Sequence, residues 1–179
     1  MAGGGPVRSA RPPRPPEGVE EYVRAAGPRL LRFARSLTLH DADAEDLLQD
    51  TLVRLVVHWR RVERSEHPDR YVRRMMVNRF VSGRRLASAR TVTSDALVEA
   101  AAPVTSAGDS AVEARLLADG MLAVLDPRSR AVLVLRYLED QPDEVVADVV
   151  GISTGNVRVI AHRALARLRP LLVADEPVG

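Results

Sequence analysis

The sequence has no cysteine and no lysine, and only 3% of its 179 residues are aromatic. Without a thiol it can build no disulfide staple, thiolate zinc site or cysteine nucleophile, which fits a reducing compartment. No uncharged run approaches the roughly 20 apolar residues of a membrane span. The opening stretch MAGGGPVRSARPPRPPEG lacks the apolar segment of a signal peptide, so a soluble cytoplasmic protein with no membrane partner is expected. Scarce aromatics beside 46% hydrophobic residues leave Leu, Val and Ala to fill the core, which favours packed helices over a sandwich or barrel. The expected fold class is all-α, in one large or two small domains.

Catalytic chemistry is as scarce as sulfur. His40, His58, His67 and His162 are scattered without metal-ligand spacing, and neither a glycine-rich phosphate loop nor a nucleophile elbow occurs. The acidic run DADAED at 41 to 46 lacks the glycine at loop position six, and Leu52 stands at position twelve, so it does not read as a calcium loop. No cofactor, no metal and no enzyme activity are expected.

Charge is strongly segregated along the chain. Residues 17 to 57 carry 5 Arg against 8 acids, residues 58 to 90 carry 10 against 3, residues 91 to 126 carry 1 against 6, and residues 127 to 170 carry 7 against 5. Such blocks suit different partners for different segments. All 26 basic residues being arginine fits a GC-rich genome and also suits bidentate phosphate contacts.

Residues 1 to 16, rich in Gly, Pro and Arg, read as a disordered arm. Helical periodicity then runs through VEEYVRAAGPRLLRFARSLTL, DAEDLLQDTLVRLVVHW and DRYVRRMMVNRFVSGRR, giving a first helical domain over 17 to 86. Asp43 is the expected N-cap of the second helix, with Glu45 and Asp46 in its first turn; His67-Pro68-Asp69 marks the break before the third. Residues 87 to 110 lose the periodicity and read as a flexible linker. A second helical domain follows over 111 to 172, with Asp126 capping a helix that has Pro127 at its first position, and residues 173 to 179 form a tail.

Within the second domain, PDEVVADVVGISTGNVRVIAHRALARL reads as a helix-turn-helix: Gly151 turns the chain and Ser153 caps the second helix. At 100° per residue Val157, Ala161, Ala164, Leu165 and Leu168 share a core face, while Asn156, Val159, Arg163 and Arg167 point outward, flanked by His162 and Ile160. Arginine for phosphate or guanine, Asn for adenine and an apolar group for a thymine methyl are what a major-groove helix needs. A solvated arginine-rich face shares the pattern, but an outward Val159 gains nothing in water; a DNA or a protein contact explains it. The third helix aligns Arg70, Arg74, Asn78 and Arg85, flanked by Arg73 and Arg84. Like charges four residues apart repel by about 0.2 to 0.5 kcal/mol per pair, and a polyanion removes that penalty with counterion release. On the second helix Glu45, Asp46, Gln49 and Asp50 lie opposite Leu48, Leu52 and Leu55, an acidic face for a basic protein partner or for solvent alone.

In this order the parts resemble the extracytoplasmic-function sigma factors, two-domain initiation subunits of bacterial RNA polymerase. DAEDLLQDTLVRL is similar to their region 2.2, DRYVRRMMVNRFVSGRR to region 2.4, and LDPRSRAVLVLRYLED with GISTGNVRVIAHRALARLR to region 4. The resemblance implies that the surface around Asp46, Gln49 and Asp50 docks on the clamp helices of core polymerase. It implies that Arg73, Arg74 and Asn78, with the loop from Arg61 to Asp69, open the minus-ten element of promoter DNA. The final helix would read the minus-thirty-five element through Asn156, Arg158, Val159 and Arg163, and the second domain would hold the polymerase flap. An anti-sigma protein is a further partner class that the resemblance allows. Two departures stand out: the family's Ser/Thr and Glu are missing near Pro142 and Val145, and Ile160 replaces an expected arginine, removing a DNA contact. The alternative is a stand-alone dimeric helix-turn-helix regulator, which would bind palindromic half-sites without polymerase.

Overall fold

A computed structural model describes residues 16 to 91 and 120 to 173, with the backbone alone at 84 to 91 and at 172 and 173. The described residues are helical and contain no strand. The expected arm before Pro16, the linker from residue 92 on, residues 111 to 119 of the second domain and the tail beyond Val173 lie outside them.

The first unit packs three helices, α1 (Val19–Thr38), α2 (Asp41–Glu63) and α3 (Pro68–Thr91). Helix α1 buries Val19, Ala26, Leu30, Phe33, Ala34 and Leu37, a recurrence every three or four residues that places one stripe against α2 and α3. It continues through Pro28, which is exposed, so the lost N–H falls on the solvent side of the helix. At its start Gly18 adopts φ 86, and a Cβ there would stand 3.2 Å from the Trp59 ring. The indole nitrogen of Trp59 donates to the Glu17 carbonyl at 2.8 Å, closing the N-terminus of α1 onto the end of α2.

Helix α2 begins earlier than the sequence suggests. Its N-cap is His40, without a side-chain cap, and Asp41 and Asp43 occupy the first turn. Asp43 is therefore not the cap, and Glu45 and Asp46 belong to the second turn, where the dipole term has largely faded. Helix α3 begins at Pro68, as expected, and runs on to Thr91, past residue 87.

The second unit comprises a helical stretch at 120 to 123, α4 (Pro127–Leu133) continued by a π-helical turn over Val134–Leu138, α5 (Asp143–Val150) and α6 (Thr154–Val173). Asp126 caps α4 by accepting from the backbone N–H of Arg128 and Ser129, and Pro127 sits where a missing N–H costs nothing. Gly151, at φ 72, ends α5 in the left-handed conformation that glycine adopts without penalty. Ser153 then accepts from the Asn156 N–H at 3.3 Å to start α6.

Partial burial pushes the Asp126 carboxyl up, but donation from the Ser129 hydroxyl, the Ser129 and Arg128 N–H groups and the charge of Arg167 outweigh it and hold the pKa below the ordinary value. A carboxylate whose pKa falls on folding stabilises the fold above the ordinary carboxylate pKa and loses that contribution as pH drops through the lowered value. Asp126→Ala should therefore cost about 1 kcal/mol near neutral pH. In urea melts the gap from the parent chain should shrink in acid; a gap that widens there would contradict the cap's ionised role.

The two units are docked. Helix α3 packs on α4 and α5, and α1 also touches α4, so buried residues of both units form one hydrophobic cluster.

Candidate functional site

Three surfaces carry the residues singled out from sequence. On α2, Glu45, Asp46 and Gln49 are exposed. Asp50 is instead turned toward α3, where its carboxylate receives Nε and Nη2 of Arg79, each at 2.6 Å. The acidic face is therefore narrower than four residues. It is also longer, because Val53 (67% exposed) and Val57 (73% exposed) continue it by one and two turns, with Val56 beside them. Neighbouring outward valines form an exposed apolar extension of the acidic face. Their spacing from Asp46, Gln49 and Asp50 places them on that face, an extension that the sequence analysis did not single out. The opposite side buries Ala44, Leu47, Thr51, Leu55, Trp59 and Val62, leaving Leu48 and Leu52 only partly buried at its edge.

On α3, Val72, Met76, Val77 and Phe80 form the buried stripe. Arg70, Arg74 and Asn78 line one groove of about 490 Å³ with Ser65, His67 and Asp148, so the structure brings these three together. Arg73 lies around the helix from them. Its guanidinium stacks 5.2 Å from the Phe33 ring centroid and meets Glu139 at 2.6 Å. Arg74 is paired with Asp148 at 3.0 Å. Arg84 and Arg85 fall where only the backbone is described. The N-terminal end of α3 is anchored separately: Asp69 accepts from the Tyr22 hydroxyl at 2.9 Å and pairs with Arg29 at 2.9 Å. Burial first, and then that bond to Asp69, push the Tyr22 phenol well above its usual range.

On α6, Val157, Ala161, Ala164 and Leu168 are buried as the wheel predicts, but Leu165 is 41% exposed and is not core. It sits at the margin of the apolar arc, and no helix covers that margin among the described residues. Asn156, His162, Arg163 and Arg167 are exposed, and so is Val159 (46%). Ile160 instead packs partly buried against the core. Arg158 is exposed yet held: its Nε donates to Asp143 at 2.9 Å, a carboxylate that also takes Arg136 at 3.1 Å. That hydrogen bond and the charge of Asp143 raise the Arg158 pKa. Arg167 stands 3.9 Å from Asp126, a looser pairing.

One functional-looking residue had no sequence signal at all. Arg130, on α4, is 1% exposed. Its guanidinium donates to the carbonyls of Leu122 at 3.0 Å, Ala123 at 3.3 Å and Leu125 at 3.3 Å, and across the unit boundary to the carbonyl of Leu37 at 2.9 Å. It also lies 5.8 Å from the Phe80 ring centroid.

Among the described residues, no group of three or more His, Asp or Glu is placed to hold a metal ion, and no helix is long and apolar enough to cross a membrane.

Comparison with known proteins connects these surfaces to a family. Residues 22–90 match the family described as Sigma-70 region 2, and residues 121–170 match Sigma-70, region 4. The chain is 41% identical over 157 residues to the RNA polymerase sigma-E factor of Streptomyces coelicolor, covering 88% of this chain and 87% of that one. It is 31% identical over 144 residues to the ECF RNA polymerase sigma factor SigL of Mycobacterium tuberculosis, covering 78% and 80%. Among solved structures, the sigma factor RpoE in complex with the anti-sigma factor NepR from Bartonella quintana superposes with a TM-score of 0.70 at 25% identity, covering 88% of this chain and 98% of that one. CnrH in complex with the cytosolic domain of CnrY gives 0.59 at 25% identity, covering 88% and 89%. With region 2 on α1 to α3 and region 4 on the helix-turn-helix unit, the chain belongs to the sigma-70 family, among its extracytoplasmic-function RNA polymerase sigma factors.

Proposed function

We propose that this sigma factor divides its work among the three surfaces. The α2 face of Glu45, Asp46 and Gln49, extended by Val53 and Val57, docks on the clamp helices of core polymerase. The α3 stripe of Arg70, Arg74 and Asn78, flanked by Arg73 and with Arg84 and Arg85 beyond it, engages the minus-ten element. The α6 face of Asn156, Val159, His162, Arg163 and Arg167, capped by Ser153 and joined by Arg158, reads the minus-thirty-five element, while the rest of that unit holds the flap. The chain supplies binding in the cytoplasm, and the polymerase supplies the chemistry. An anti-sigma protein is a natural further partner, since the Bartonella quintana sigma factor above is held by one.

The observation that carries this reading is the opposition of chemistry within one small unit. An acidic and apolar face on α2 and a basic face on α3 cannot serve the same partner. A stand-alone DNA-binding regulator has no use for the first of them.

Melting follows from binding. Bases of the opened non-template strand, captured at α3, offset lost stacking worth about 1.4 kcal/mol per step. The polymerase complex should therefore bind a pre-melted minus-ten probe at least about tenfold more tightly than a duplex one. Run-off transcription with purified core polymerase and a genomic promoter pool tests the whole assignment. Discrete new transcripts are expected when the chain is added, and a chain that core polymerase neither retains nor responds to would refute it.

A further inference from the structure

Arg158 is the first cation along α6, and the leading residues of a recognition helix are those that reach base edges. Its Nε donates to one carboxylate oxygen of Asp143 at 2.9 Å, and Nε of Arg136 meets the other oxygen at 3.1 Å. The Asp143 side chain is only 12% exposed, against 68% for Arg158. Arg136 is steadied in turn by the Tyr137 ring, whose centroid lies 5.4 Å from its guanidinium carbon. With both oxygens engaged the carboxylate is fixed against turning, and it grips Arg158 by the inner nitrogen of the guanidinium. The two outer nitrogens, Nη1 and Nη2, enter no hydrogen bond or ion pair among the described residues. They form an edge able to donate to N7 and O6 of one guanine.

We propose that Asp143 is a positioning residue for sequence readout: from α5 it aims Arg158 of α6 at a guanine in the minus-thirty-five element, and Arg136 holds the carboxylate in place. The proposal rests on the assignment of α6 to that element. A long side chain ordered before binding loses less freedom on contact, so the aimed arginine gives up less of its hydrogen-bond energy. The charge of Asp143 also offsets that of Arg158. Capture of a phosphate, which draws on net charge and counterion release, gains little from such a pair. A guanine edge asks instead for two donors in a fixed fork. Ile160 does not compete for that place, because it packs partly buried against the core.

The test uses holoenzyme assembled from the full chain and core polymerase, with a promoter from the run-off pool whose minus-thirty-five segment is randomised. Bound duplexes are sequenced, and each position yields a base preference. In the parent, one position should favour guanine, on one strand or the other, by about tenfold. Arg158→Ala should flatten that position alone. Asp143→Ala should cut the same preference at least about threefold and leave the other positions as they are. A released Arg158 can turn to a phosphate, so the salt dependence of binding should steepen by about 0.9. Adding Asp143→Ala to an Arg158→Ala chain should change neither readout, the non-additivity expected of two residues that act as one. Asp143 also opens α5, where a carboxylate steadies the helix dipole, and its loss lowers stability for that reason alone. Arg136→Gln keeps the carboxylate and should weaken the same guanine preference, by less than Asp143→Ala does.

A guanine preference that survives Asp143→Ala overturns the proposal, and so does a loss in both variants that spreads evenly over every position, as a damaged fold would produce. If other positions are selected but none responds to Arg158→Ala, α6 still reads the minus-thirty-five element and the aiming of Arg158 is refuted. A selection flat at every position would overturn the assignment of α6 and the proposal together.

Discussion

Arg130→Ala should lower the stability of the chain by about 4 kcal/mol and its thermal midpoint by roughly 12 °C. Four carbonyl oxygens, those of Leu122, Ala123, Leu125 and Leu37, lose their charged donor at once. A buried acceptor left without a partner costs about 1 to 3 kcal/mol, and water entering the vacated space recovers part of that. Relief from burying a cation works in the opposite direction. Such relief pays only when the whole polar cluster is replaced by apolar groups, whereas here the backbone acceptors stay. Arg130→Lys keeps the charge but offers three donors from one nitrogen, a point that cannot span carbonyls arranged around a planar fork, and should recover less than half of the loss. Thermal unfolding followed by circular dichroism decides the matter. A midpoint for Arg130→Ala within a few degrees of the parent would mean that the buried guanidinium does not tie the units together.

The elements that were legible in the sequence are those fixed by local chemistry. Asp126 and Pro127 start α4, Gly151 ends α5 and Ser153 starts α6 because each acts on backbone groups within three or four residues of itself. The grouping of exposed side chains on α2 and α6 was legible for the same reason, since helical spacing alone places them on one face. What escaped depends on partners distant in the chain. DADAED offers several side chains able to cap, and the helix starts at Asp41 rather than after Asp43. Asp50 belongs to the acidic face by spacing, yet Arg79, 29 residues later, draws it away. Leu165 lies within the apolar arc, but nothing among the described residues covers it. Arg130 reads as one more helical arginine, and its defining acceptor, the Leu37 carbonyl, is 93 residues upstream. The same distance hides the docking of the units, because a linker rich in Ala, Ser and Thr tells of freedom at the join and nothing of what the joined parts do to each other.

Reversing the α2 face, with Asp46→Arg and Gln49→Arg together, should weaken binding to core polymerase by about a hundredfold. Placing like charges across an interface costs several kcal/mol, and a hundredfold corresponds to about 2.7 kcal/mol. The two side chains suit the experiment because they are exposed and, among the described residues, enter no ion pair, so the fold loses nothing when they change. Val53→Ser with Val57→Ser probes the apolar extension separately. Each valine buried in a contact contributes about 1.5 kcal/mol, of which desolvation of imperfectly paired neighbours and side-chain ordering consume a share, leaving about tenfold for the pair. Competition against the parent chain for labelled core polymerase measures both. The two losses should also differ in kind. The charge reversal should grow milder as salt rises and screening shortens the reach of the repulsion, while the valine effect should persist. A reversal that leaves binding intact would move the polymerase contact off this helix. A salt-independent loss would mean that shape, not charge, sets the docking of α2.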